Sequence, residues 1–186
     1  DLIVSFVGES SGLTAAPGRV AVYGYGDDVT TWTATPVVAE AAAIPFPNEP
    51  LIDDIDEDGD RDLLIPAGGP ACAAFALFGG GNCGALAWFE QDTTEEVPTW
   101  KRHDVVAQGN ARFFRRAILV DIDGDAVRDL MTVGETAPDL LGTTPGDALA
   151  QWFKGDAESP DRFDKTAHSM GAALGGLPIA YDVDED

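Results

Sequence analysis

Two stretches of the chain superimpose without a gap, and they constrain its fold more than any other feature. The first is Asp54-Ile55-Asp56-Glu57-Asp58-Gly59-Asp60-Arg61-Asp62-Leu63, and the second is Asp121-Ile122-Asp123-Gly124-Asp125-Ala126-Val127-Arg128-Asp129-Leu130. Each has carboxylates at alternate positions, then a further aspartate four residues on. Such a run repels itself unless it curls around a hard cation. Calcium takes about six to eight oxygens at about 2.3–2.6 Å, and this pattern supplies them. In the first loop the expected donors are the side chains of Asp54, Asp56, Asp58 and Asp62 and the backbone carbonyl of Asp60. In the second they are Asp121, Asp123, Asp125 and Asp129, with the carbonyl of Val127. An EF-hand would need a bidentate Glu at its twelfth position. Ile65 stands there, so this is a shorter loop of another kind.

A third copy, Asp182-Val183-Asp184-Glu185-Asp186, closes the sequence, with Asp182, Asp184 and Asp186 in the ligand positions. Asp1-Leu2-Ile3 matches Asp62-Leu63-Leu64, so Asp1 reads as the last ligand of another such loop. The motifs recur at about sixty residues, and a fixed period of this size marks a repeat architecture. The expected units are 1–61, 62–128 and 129–186, as a segment of a longer chain.

Between the loops, short runs rich in β-branched and aromatic residues are bounded by Gly, Pro and Asp, which is the signature of strands. They are expected near 2–7, 19–25, 31–38 and 50–53, then 62–66, 85–90, 100–106 and 116–120, then 129–133, 148–153, 162–167 and 177–181. No window has the apolar spacing of a long amphipathic helix. Residues 39–44 allow one helical turn before Pro45 and Pro47 end it. The fold class is therefore all-β, built from four-stranded antiparallel sheets. A sixty-residue period is too long for a solenoid coil, whereas about four strands per unit suits a β-propeller blade. The expectation is about three blades of a larger ring. Trp88, Phe89 and Trp100 align with Tyr23, Tyr25 and Trp32, and with Trp152, Phe153 and Phe163, as packing residues between blades. An exposed member of this set would suit sugar stacking.

The loops and the strand runs 85–90 and 100–105 resemble the FG-GAP/VCBS-type calcium-binding repeats known from integrin α-subunit propellers and microbial surface proteins. The Phe-Gly and Gly-Ala-Pro signatures of integrin blades are absent, so the chain looks closer to the microbial VCBS-like branch. By that resemblance the metal lies in the hairpin between the last strand of one blade and the first of the next.

The net charge is −22, from 33 acidic against 11 basic side chains. That excludes binding to nucleic acid, whose phosphates require Lys and Arg, and to anionic membrane surfaces. No apolar run approaches a membrane span. Cys72 and Cys83 flank a glycine-rich insertion; they are expected either as a disulfide, suited to an oxidising compartment, or as two buried thiols.

Signs of catalysis are sparse. His103 aligns with Thr35 and Thr166, which suggests a hydrogen-bonding position on a strand, and His168 lies in an expected loop beside Ser169. Gly79-Gly80-Gly81 lacks the Lys of a phosphate loop. Arg112, Arg115 and Arg116 are expected to pair with nearby acids. The expected function is an extracellular or cell-surface, calcium-loaded scaffold or adhesion module, with protein or glycan partners and no catalytic role. The rivals are the propeller domain of a carbohydrate-active enzyme of lyase type, and a subunit of a surface filament. The two loops are also expected to differ. Gly59 faces Ala126 at a position needing positive φ, and Asp53, Glu57 and Asp60 face Val120, Gly124 and Val127, so the second loop should bind less tightly, by up to about tenfold.

Overall fold

The structure is a computed structural model that describes residues 2–6, 10–11, 14–15, 18–37, 44–70, 84–94, 98–138, 145–173 and 176–180. Among them there is no helix, and the ladders are antiparallel. The strands are β1 (Leu2–Phe6), β2 (Ser10–Ser11), β3 (Thr14–Ala15), β4 (Arg19–Tyr25), β5 (Trp32–Pro36), β6 (Leu51–Asp53), β7 (Asp62–Ala67), β8 (Gly84–Asp92), β9 (Thr99–Asn110), β10 (Phe113–Val120), β11 (Asp129–Glu135), β12 (Ala148–Gly155) and β13 (Phe163–Ala173). They form a three-stranded sheet β1-β4-β5, two four-stranded sheets, β6-β7-β8-β9 and β10-β11-β12-β13, and a small hairpin β2-β3 inside a stretch expected to be loop.

The sheets do not coincide with the sequence repeats. The strand before each acidic loop pairs with the strand after it, β6 with β7 and β10 with β11. Each loop is thus the tip of a hairpin within one sheet, and does not pass from one sheet to the next as the family resemblance implied. The sheets run across the boundaries expected at 62 and 129. The same rule accounts for the strand expected at 177–181. Residues 177–180 are not in a strand, and no strand among the described residues follows to pair with them. Residue 181, the third motif at 182–186, Asp1, Cys72, Cys83 and residues 39–43 lie outside the described residues.

Two apolar cores flank the middle sheet. Along β7 and β8, Leu63, Ile65, Ala67, Ala85, Ala87 and Phe89 face one core with Val20, Val37 and Ile44. Leu64, Leu86 and Trp88 face the other, with Phe114, Ala117, Leu130, Phe153 and Phe163. Alternation of side chains along a strand sends neighbours to opposite faces, so Trp88 and Phe89 lock two different interfaces. A sheet buried on both faces reads as a continuous apolar run, and Leu63-Leu64-Ile65 is one. Pro66 is tolerated there because the β6 ladder stops opposite Leu64, and beyond it only the Pro66 carbonyl is engaged on that side, accepting the Asn48 N–H at 2.8 Å. Asn48 fastens the middle sheet to the next, its Nδ2 donating to the carbonyls of Gly68 (2.7 Å) and Phe114 (2.6 Å).

The aromatic alignment holds in part. Trp88, Phe89, Phe153 and Phe163 are buried, and Trp100 packs against the first core. Tyr25 and Trp32, by contrast, are 48% and 43% exposed and meet edge-on at 4.9 Å. The histidine alignment needs correction. His103 lies opposite Trp88 and stacks on it at 4.2 Å; His168 lies on β13, not in a loop, opposite Trp152, and stacks on it at 4.6 Å. The counterpart of His103 is therefore His168, not Thr166.

Candidate metal centre

Each acidic loop is closed by its last aspartate. Asp62 and Asp129 open β7 and β11 and are fully buried. Asp62 Oδ2 accepts the Ile55 N–H (2.8 Å) and Oδ1 the Gln91 N–H (2.9 Å). Asp129 repeats both bonds, with Ile122 (2.8 Å) and Gly155 (2.7 Å). These carboxylates pin the head of the loop and tie it to the third strand of its sheet. Burial pushes the Asp62 carboxyl up to about 6, in spite of the Gln91 and Ile55 N–H groups that favour its anion.

The ladders fix which residues correspond. Leu63 is opposite Phe89 and Leu130 opposite Phe153, so Glu90 matches Lys154 and Gln91 matches Gly155. The backbone of both loops enters the left-handed region at two places, Glu57 (φ 64°) and Gly59 (φ 101°) in the first, Gly124 (φ 77°) and Ala126 (φ 68°) in the second. Ala126 adopts the positive φ that its alignment with Gly59 requires. Glu57, however, adopts it too, opposite Gly124. Each loop thus carries one glycine and one strained residue, in exchanged positions. A left-handed non-glycine residue costs on the order of 1–2 kcal/mol, so strain does not set the loops apart as the sequence suggested.

Their carboxylates do set them apart. In the first loop Asp54, Asp56 and Asp58 bring oxygens within 4.8 Å of one another. Asp54 Oδ2 accepts the Gly59 N–H at 3.2 Å, whereas its buried Oδ1 has no hydrogen-bond partner in the described structure. A buried carboxylate oxygen left unpaired is costly. Burial, and the Asp58 charge beside it, hold the Asp56 carboxyl above the ordinary carboxylate range. The Asp60 side chain turns away and accepts from the Thr93 hydroxyl (2.6 Å) and N–H (3.2 Å), as befits a position needed only for its carbonyl.

In the second loop the close group is Asp121, Asp123 and Asp129. Here Asp121 Oδ1 accepts the N–H groups of Gly124 (2.8 Å) and Asp125 (3.2 Å), and Oδ2 that of Ala126 (2.9 Å). Lys154 reaches over from β12, its Nζ bonding Asp123 Oδ2 and, at 2.6 Å, Asp125 Oδ2. Hydrogen bonds from Lys154 and from the Val127 N–H hold Asp125 below the usual carboxylate range. Gly155 allows the close approach, since a Cβ there would lie 2.4 Å from the Arg128 carbonyl oxygen.

Two arginines join the first loop to the next sheet. Arg128 donates to Asp53 Oδ2 (2.7 Å) and to the Asp54 carbonyl (2.6 Å), and Arg162 Nε to the Ile55 carbonyl (3.2 Å). Arg61, the counterpart of Arg128, only approaches Asp53 at 3.8 Å and is 71% exposed. His103 belongs to the same seam, with Nε2 2.7 Å from Glu90 Oε2 and Nδ1 3.2 Å from Asp161 Oδ1. The arginine cluster pairs as its sequence suggested, Arg112 with Asp147, Arg115 with Glu135 and Arg116 with Glu49. Lys154, Arg128, Arg162 and Asp161 escaped the sequence reading. Only Lys154 left a legible trace, as the residue after Trp152-Phe153 where Glu90 follows Trp88-Phe89.

No known protein family, curated protein or solved structure matches this chain.

The donor set of the first loop fits a hard cation. It offers oxygens only, three carboxylates converge, and one of them holds a buried oxygen with no other partner. Asp54, Asp56, Asp58 and Asp62 with the Asp60 carbonyl would hold the ion, which would neutralise their mutual repulsion and stiffen the hairpin.

Proposed function

We propose that the chain is a calcium-binding segment of a β-propeller, with blades of the FG-GAP/VCBS kind, serving outside the cell as a scaffold or adhesion module. The observation that carries the calcium part is the unpaired, buried Asp54 Oδ1 within an oxygen-only loop whose pattern recurs at Asp121. The blade part is supported by a sheet buried on both faces between two others, with a separate core on each side. Propeller blades stack in this way around a central channel. The calcium is structural, since it acts on the hairpin that begins a sheet. A protein or glycan is the partner that suits this role, and the exposed Tyr25–Trp32 pair offers a stacking surface for a sugar ring.

An enzymatic reading draws less support. His103 is 5% exposed, with Nε2 against Glu90 of its own sheet and Nδ1 against Asp161 of the next. It acts as a fastening.

Calcium titration followed by calorimetry tests the proposal. Binding to the native fold raises its melting temperature by linkage, and extracellular modules of this ligand type bind with dissociation constants as weak as ~10⁻⁴–10⁻³ M. The expected result is a melting temperature that falls in chelator and recovers with millimolar calcium, with Asp58→Ala insensitive at the first loop. A melting temperature indifferent to both chelator and calcium rejects the structural-calcium role.

A further inference from the structure

We propose that Lys154 is the built-in cation of the second loop. Its ammonium stands where the first loop takes a divalent ion, and the residue at this position decides whether a loop of this kind loads calcium. The inference rests on the calcium reading of the first loop.

The two sheets correspond residue by residue around their loops. Positions 90 and 154 are equivalent in their sheets, each following the aromatic pair that faces the first strand after the loop. In the first sheet the residue is Glu90, an anion, turned aside to Lys101 (2.9 Å) and His103 (2.7 Å). Among the described residues neither Asp56 nor Asp58 has a lysine partner; Asp56 Oδ1 accepts the Asp58 N–H at 3.3 Å and Asp58 Oδ1 the Asp60 N–H at 2.8 Å. In the second sheet Lys154 Nζ bonds one oxygen of Asp123 and one of Asp125, the counterparts of Asp56 and Asp58. Most of the remaining oxygens of the loop accept backbone N–H groups, those of Asp129 included. Asp125 Oδ1 accepts the Val127 N–H at 2.9 Å, and both Asp121 oxygens accept N–H groups. No buried oxygen of this loop is orphaned among the described residues, in contrast to Asp54 Oδ1.

An ammonium is suited to the task. It is a compact point charge with three donors, able to serve two carboxylates at once. It comes tethered to the neighbouring strand, so its effective concentration at the loop is far above that of a free ion. A divalent ion entering the second loop has to displace it. Gly155 belongs to the same arrangement, because the absent Cβ lets β12 lie against Arg128 and brings residue 154 within reach.

The experiment counts calcium ions bound to the whole chain, after chelator and dialysis, by isothermal titration with calcium chloride. The proteins are wild type, Lys154→Met, Lys154→Arg, Asp58→Ala, and Asp58→Ala with Lys154→Met. The expected result for these two loops is one ion for wild type and for Lys154→Arg, two for Lys154→Met, none for Asp58→Ala and one for the double variant. The second loop's affinity should rise at least about tenfold, one decade in the dissociation constant, when the lysine is removed. Ions at the third motif would add equally to every variant, so differences between variants are what is read. Two ions of equal affinity in wild type, with one remaining in Asp58→Ala, would overturn the inference and uphold the calcium reading. So would a Lys154→Met protein that still fills its first loop but gains no ion. Wild type without an ion at the first loop, with one gained in Lys154→Met, would overturn the first-loop site alone. No ion in either protein would overturn both.

Discussion

The two acidic loops share a backbone, a closing aspartate and one strained residue each, yet they meet their negative charge differently. The first leaves part of it unmet: Asp54 Oδ1 is buried and unpaired, and the β8 side chain whose charge bears on Asp56 is another acid, Glu90. The second settles it internally, through backbone N–H groups on Asp121 and the ammonium of Lys154 on Asp123 and Asp125. A ligand motif therefore states which oxygens converge, while a residue on a neighbouring strand states whether they need a metal. The same motif can be a binding site in one repeat and a closed ion-pair network in the next.

The largest expected effect tests what the loops share. Asp62→Ala and Asp129→Ala each strip two N–H groups of their acceptor, at about 1–3 kcal/mol for each buried donor left unmade. Each variant should lose about 2–6 kcal/mol in chelator by urea denaturation, and the losses should match. A much smaller loss at either position would show that the shared clamp is not the base of both loops. Acidity tests the first clamp further. The Asp62 carboxyl is raised by burial to about 6, above its ordinary value, so the folded state favours its protonated form. Stability from this group is full below the ordinary carboxylate range and is lost as pH rises through about 6. In chelator, wild type should gain more melting temperature between pH 7.5 and pH 5 than Asp62→Asn does. Calcium should reverse the trend, since it holds the carboxylate ionised.

A smaller effect concerns the arginines. Arg128→Met should cost about 1.5–3 kcal/mol, the range for hydrogen bonds involving a charged group. Arg61→Met should cost less than about 0.5 kcal/mol, as exposed and distant pairs do. Equal losses would mean that the second loop's arginine does not anchor the first. The smallest effect probes the exchanged strain. Glu57→Gly and Ala126→Gly should each stabilise by up to about 1 kcal/mol, relief of the left-handed conformation being partly offset by the entropy that glycine brings to the unfolded chain. A gain at Ala126 alone would restore the asymmetry expected from Gly59.

Much of this was legible in the residues. The aspartate spacing located both loops, and the run Leu63-Leu64-Ile65 with Trp88-Phe89 announced strands buried on two faces. What escaped did so for definite reasons. Glu57 is an unusual residue for positive φ, and only its pairing with Gly124 discloses it. His168 was missed because the alignment ran from Trp100 to Phe163, and β13 carries two extra residues between Phe163 and Ala167, where the register shifts. Arg128, Arg162 and Asp161 act across a seam between sheets, and no local pattern encodes a partner about a hundred residues away, as Arg162 is from Ile55. Of the strand expected at 177–181, residues 177–180 lie outside any ladder, because apolar composition permits a strand but only a neighbour makes one.

The offset between sequence repeat and sheet bears on how such a chain can be cut and rejoined. A break between residues 61 and 62 falls at the edge of a repeat, yet it parts β6 from the sheet that β6 belongs to. Each piece then holds an incomplete object, one an orphan strand and the other a sheet with a bare edge, and the two are complementary in register. The unit that carries a whole sheet is therefore 51–110, hairpin included, and not 62–128. A tandem array of these repeats is stitched like overlapping tiles, with every joint bridged by a strand from the tile before.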